Sequence, residues 1–132
     1  MKITKLIILL AVFIIPFGAL AEGEGHAHDA DAPAVSTLNG QLIGLTCFLK
    51  HDSSGPGHKS CARSCAEKGL PLALKTDDGK LYQILGKGHD DLKTVNASLL
   101  DYIETRVTVV GNTFNKDGVY AVVVDKIKKA ED

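Results

Sequence analysis

Three cysteines and a histidine, Cys47, His58, Cys61 and Cys65, fall within 19 residues. Thiolates and imidazoles are the ligands of tetrahedral zinc, and thiolates alone suit Cu(I). On a helix advancing about 100° per residue, His58, Cys61 and Cys65 lie within about 60° of one another and share one face. Cys47 precedes this group by a step long enough for the chain to return its thiol to that face. The expectation is a Cys3His site for one ion, Zn or Cu(I), held by Cys47, His58, Cys61 and Cys65. The spacing is not that of the common zinc fingers. Cys61-x-x-x-Cys65 is also neither the Cys-x-x-Cys of thioredoxin-like proteins nor the Cys-x-x-Cys-His of c-type haem attachment.

Two other uses of the same thiols stay open. Cys61 falls in the first helical turn, where the positive end of the helix dipole lowers a thiol pKa. His58 could serve as its base, with Cys65 or Cys47 as the resolving thiol of a redox pair. Alternatively, one structural disulfide pins the helix and leaves one inert thiol, within an interaction domain. An odd count cannot pair completely within one chain, so at least one cysteine is free, metal-bound or shared. No oxyanion donors or substrate pocket can be identified, and the expected role is binding rather than turnover.

The elements that must position these residues read as mostly β. Leu38, Leu42, Ile43, Leu45, Phe48 and Leu49 predict a long first strand from Ser36, with Gly40 and Gly44 able to bend it and Cys47 near its end. A Gly- and Ser-rich loop, Lys50 to Gly57, leads to a short helix from His58 to Lys68, which Gly69 and Pro71 terminate. Strands Leu72 to Thr76 and Leu81 to Leu85 flank Asp77-Asp78-Gly79-Lys80. Leu99, Leu100 and Ile103 predict a helix from about Asn96 to Thr105. Arg106 to Phe114 and Val119 to Ile127, rich in β-branched residues, form a hairpin around Asn115-Lys116-Asp117-Gly118. Five strands with a helix between the third and fourth match an OB-fold-like barrel, with the Cys/His helix inserted after the first strand. Gly111 suits a barrel strand that bends sharply, or an ordinary bulge. A flatter mixed α+β sheet is the alternative.

Composition narrows the setting. Lys2 and Lys5 precede an apolar run from Leu6 to Phe17 and then Ala19-Leu20-Ala21, the pattern of a signal peptide over residues 1–21 cleaved before Glu22. The run is shorter than the about 20 apolar residues of a spanning helix, so no transmembrane anchor is expected after cleavage. Of the 132 residues, 111 then remain with formal charge −3. That balance, with five aromatics left, disfavours nucleic acid as a partner. Residues 22–35 are acidic and small, the composition of a disordered tail, and residues 36–132 form the OB-like domain. A periplasmic or secreted location follows, with another exported or membrane-associated protein as the expected partner.

Other residues carry weaker signals. His26, His28, Asp29 and Asp31 in the tail offer a weak site for Zn, Cu or Ni, or simply solvate it. His51 and His89 fall in polar loops and read as exposed, although His51 is near enough to replace His58. Lys59, Arg63 and Lys68 would favour thiolates or an anionic partner, or solvate the helix. Tyr82, Tyr102 and Tyr120 read as packing residues.

The runs Gly44-Leu-Thr-Cys47-Phe-Leu, Gly57-His58-Lys-Ser-Cys61-Ala-Arg-Ser-Cys65-Ala-Glu-Lys-Gly69-Leu-Pro71 and Asp78-Gly79-Lys-Leu-Tyr82 resemble a group of small exported bacterial proteins of uncertain function. Val107-Thr-Val109-Val-Gly111 matches the pattern of that group's last strands. The resemblance spans most of the mature domain. It implies an exported OB-like domain and brings no activity with it.

Overall fold

The computed structural model describes residues 33–131. The segments expected to be a signal peptide and most of the tail, including His26 and His28, lie outside the described residues. Five strands, β1 (Ala34–Gly44), β2 (Leu72–Thr76), β3 (Leu81–Leu85), β4 (Arg106–Lys116) and β5 (Val119–Lys129), close into a barrel in the order β1-β2-β3-β5-β4. All neighbours are antiparallel except β3 and β5, which are parallel. This is the OB-like barrel expected from the order of elements. Strand β1 closes it by pairing with β2 through Gly40–Gly44 and with β4 through Ala34–Gln41. It therefore begins two residues earlier than expected, and Ala34 and Val35 pair with Thr113 and Asn112.

Two glycines make closure possible. A Cβ on Gly40 would collide with the Lys75 carbonyl of β2, and one on Gly111 with the Val123 carbonyl of β5. At Val110/Gly111 the β4·β5 register also shifts, the bulge that is one of the two readings of Gly111. The β4–β5 hairpin turns on Asp117 and Gly118, both at positive φ, the two-residue turn whose twist matches that of the strands.

Inside, Leu42, Leu74, Ile84, Val107, Val109 and Val122 fill the barrel, and Leu99 and Ile103 plug one end. The plug is not the single helix expected over 96–105. Helix α3 (Leu92–Ala97) starts earlier because Asp91 caps it, its carboxylate accepting from the Thr94 N–H and hydroxyl. A 3₁₀ turn (Leu100–Tyr102) follows, and the left-handed φ of Glu104 ends the segment. Tyr82 and Tyr120 stack across the parallel pair with centroids 5.3 Å apart, and Tyr82 and Tyr102 also pack on the core, the packing roles expected of them.

The insert after β1 departs from expectation in a way that matters for the thiols. Residues Leu45–His51 form a helix rather than the end of the strand, so Cys47 is helical. In chain order this helix is α1 and Lys59–Glu67 is α2. Gly44 lies so close to α2 that a Cβ would sit 3.3 Å from the Ala62 Cβ, and Leu45 N–H bonds Pro71 O at 3.0 Å, one step beyond the Gly44↔Leu72 pair of the β1·β2 ladder. The ladder ends there because Pro71 has no N–H to return to Leu45, and α2 covers Gly44. The left-handed φ of Asp52 closes α1, its N–H bonding Phe48 O.

Helix α2 is seated by Ala62 and Ala66, both buried on the barrel. Asn96 ties its C-terminal end to α3, donating Nδ2–H bonds of 2.9 Å to Ala66 O and Leu70 O. Asn96→Ala is expected to strip Leu70 O of its side-chain donor, Ala66 O keeping its bond from Gly69 N–H, while removing the partnerless Oδ1. The net loss should be about 1–2 kcal/mol, seen as a lower denaturant midpoint with an unchanged m-value.

Candidate metal centre

The two inserted helices converge on the cysteines. Because Ala62 and Ala66 face the barrel, Cys61 and Cys65, each one residue earlier, run along the flank of α2. Cys47 meets them from α1. The three Sγ atoms lie within 4.8 Å of one another, and all three cysteines are free thiols. A tetrahedral or trigonal ion with metal–sulfur bonds of about 2.3 Å needs sulfurs about 3.8–4.0 Å apart, so closure on an ion takes a movement of about 1 Å. Cys47 and Cys65 are half-buried and Cys61 is exposed. Beneath Cys47 and Cys65 the cleft is walled by Gly44, Ala62, Ala66, Leu70 and Leu72 and is too tight for water. The group is dry on its inner side and open at Cys61.

Burial pushes the Cys47 thiol up, and the adjacent sulfurs of Cys65 and Cys61 push it further. Three thiolates this close repel one another when nothing cationic lies between them.

His58 stands elsewhere in the same insert. It ends a 3₁₀ turn (Pro56–His58) leading into α2 and donates Nδ1–H to Glu104 Oε1 at 3.3 Å. The mutually close ligand atoms are the three sulfurs. Glu104 was not legible in the sequence as a functional residue, since it is one acidic residue in the segment Asp101-Tyr-Ile-Glu104. Its side chain is wholly buried. It accepts from Gly55 N–H at 2.6 Å, Gln41 Nε2 at 3.0 Å and Gly44 N–H at 3.4 Å as well as from His58. Its left-handed φ and the 2.7 Å bond from its N–H to Leu42 O fix it beside the end of β1.

The remaining candidates resolve simply. His51 and His89 are exposed, as expected. Arg63 bonds Glu67, Asp101 and Leu100 O, so its charge braces α2 against the 3₁₀ turn that follows α3. Lys68 is exposed and Lys59 half-buried. Among the described residues, no helix is long and apolar enough to cross a membrane. Comparison of the chain with protein-family models, with curated proteins and with solved structures finds no match.

Proposed function

We propose that the chain is an exported, non-catalytic module that holds one metal ion, Zn or Cu, through its cysteine cluster. The observation that carries this reading is the convergence of three free sulfurs from two helices to within 4.8 Å. Convergence of this kind exposes three potential thiolates to mutual repulsion, and a bound cation relieves it. The ion would lock α1 to α2 and present a defined surface to another exported or membrane-associated protein.

Native mass spectrometry of the mature protein, isolated without chelator or reductant, tests this directly. One stoichiometric ion with all cysteines reduced is the expected result. A metal-free chain two mass units light, with one disulfide, would overturn it. That second outcome belongs to a thiol redox protein using Cys61 with Cys65 or Cys47, a reading favoured by the same sulfur proximity and the exposure of Cys61.

Thiolate ligation also sets a pH dependence. Metal must displace the thiol protons, and that of Cys47 is held more tightly than usual by burial and its sulfur neighbours. Affinity therefore rises with pH while the thiols are protonated, by about tenfold per unit for each proton displaced, and acid releases the ion. Chelator competition at pH 6, 7 and 8 measures this slope. A flat profile would exclude thiolate ligands.

A further inference from the structure

Glu104 is a wholly buried carboxylate whose only charged partner among the described salt bridges is His58, itself 16% exposed at the side chain. Such a group is costly unless its oxygens are saturated with donors. Here they are, and the donors are not spread over the fold. Gly44 immediately precedes α1, which carries Cys47, while Gly55 and His58 immediately precede α2, which carries Cys61 and Cys65. One carboxylate thus ties together the approaches to both cysteine-bearing helices. The same contact anchors the His58 ring through Nδ1; Nε2 is left free, yet neither ring nitrogen is among the atoms gathered within 4.8 Å, which are sulfurs alone.

Resting on the metal-binding reading above, we propose that Glu104 is the positioning and specificity residue of this centre. It holds His58 out of the ligand set, so that the ion is bound by three sulfurs and the site prefers Cu(I) to Zn(II). The chemistry follows from the donor set. Structural zinc is almost always four-coordinate, and a dry inner cleft gives it no fourth ligand from within. Cu(I) is soft and matched to thiolates.

The test titrates Cu(I) and Zn(II) against chelators of known affinity in four proteins: wild type, His58→Ala, Glu104→Gln and the double variant. X-ray absorption on the Cu(I)-loaded proteins counts the ligands. Expected for the wild type is a three-sulfur Cu(I) site. His58→Ala should leave both affinities within about threefold. Glu104→Gln keeps one acceptor oxygen for Gly55 but presents an amide where Gly44 and His58 donate, so Gly44 loses its acceptor and the charged hold on His58 is removed. Zn(II) affinity should then rise at least tenfold relative to Cu(I), and the double variant should lose that gain.

A tenfold loss of either metal in His58→Ala, or a nitrogen ligand on wild-type Cu(I), would overturn the proposal by making His58 a ligand already. An unchanged metal preference in folded Glu104→Gln would overturn it by removing Glu104 from the selection. Should Glu104→Gln fail to fold, the ligand count and the His58→Ala titrations still decide. A wild type that binds neither ion refutes instead the metal-binding reading itself.

Discussion

Cys47→Ser is expected to abolish stoichiometric metal binding, with Cys61→Ser and Cys65→Ser giving the same result. Each removes one of only three mutually close sulfurs. A structural thiolate site binds zinc with about 10–16 kcal/mol spread over its ligands, so losing one should cost about 3 kcal/mol or more, over 100-fold in affinity. The second signature is linkage. Metal at 100 times its dissociation constant should raise wild-type stability by about 2.7 kcal/mol. The same metal concentration should leave Cys47→Ser unshifted. Calorimetric unfolding with and without metal reads both effects. Ser64→Ala, on the exposed side of α2, should behave as wild type. Equal metal protection in Cys47→Ser and wild type would place the ion somewhere other than the cluster.

Gly111→Val should destabilise the barrel by about 3 kcal/mol or leave it unfolded, and Gly40→Val should do the same. At both positions the new side chain meets a backbone carbonyl of the paired strand rather than the movable end of a side chain. Overpacking that cannot be relieved by a rotamer change must be relieved by parting the strands. For Gly40 this parts β1 from β2, and for Gly111 β4 from β5, and either opens the closed sheet. Gly88→Ala is the matched control, since nothing lies within 4 Å of the added carbon, and a change within about 0.5 kcal/mol is expected. Denaturant midpoints separate the three. Folding of Gly111→Val at wild-type stability would mean that β4 can shift its register without loss.

The cysteine cluster connects these two effects. Its helices are not stacked on one another by a large core of their own. Gly44 and the small residues Ala62 and Ala66 let α2 rest on the barrel, while α1 hangs from the end of β1. Variants that open the barrel should therefore also weaken metal binding, whereas cysteine variants should leave the metal-free barrel unchanged.

Much of this organisation is legible in the residues alone, and the reason is locality. Alternating β-branched residues around Asp117-Gly118 define β4, β5 and their turn from contacts only a few residues apart. Gly69, at positive φ after α2, ends that helix for the same local reason. The order of such elements was enough to indicate the barrel. The gathering of Cys47, Cys61 and Cys65 was likewise legible, since helical spacing aligns two of them and a short insert must return the third.

Tertiary structure decided what local preference could not. Leu45, Phe48 and Leu49 suit a strand, yet they are helical: the β1·β2 ladder runs out at Pro71, which has no N–H to return to Leu45, and α2 packs over Gly44. The start of α3 rests on the cap at Asp91, which lies before the apolar spacing begins. Asn96 and Glu104 look like ordinary surface residues in the sequence, and only their burial against the ends of α2 and of β1 turns them into ties. Residue types and spacing alone marked the three cysteines that gather and the strands beneath them. Long-range packing decided where His58 and Glu104 stand, because a buried carboxylate settles wherever the fold supplies enough donors, and here they lie as many as 63 residues away along the chain.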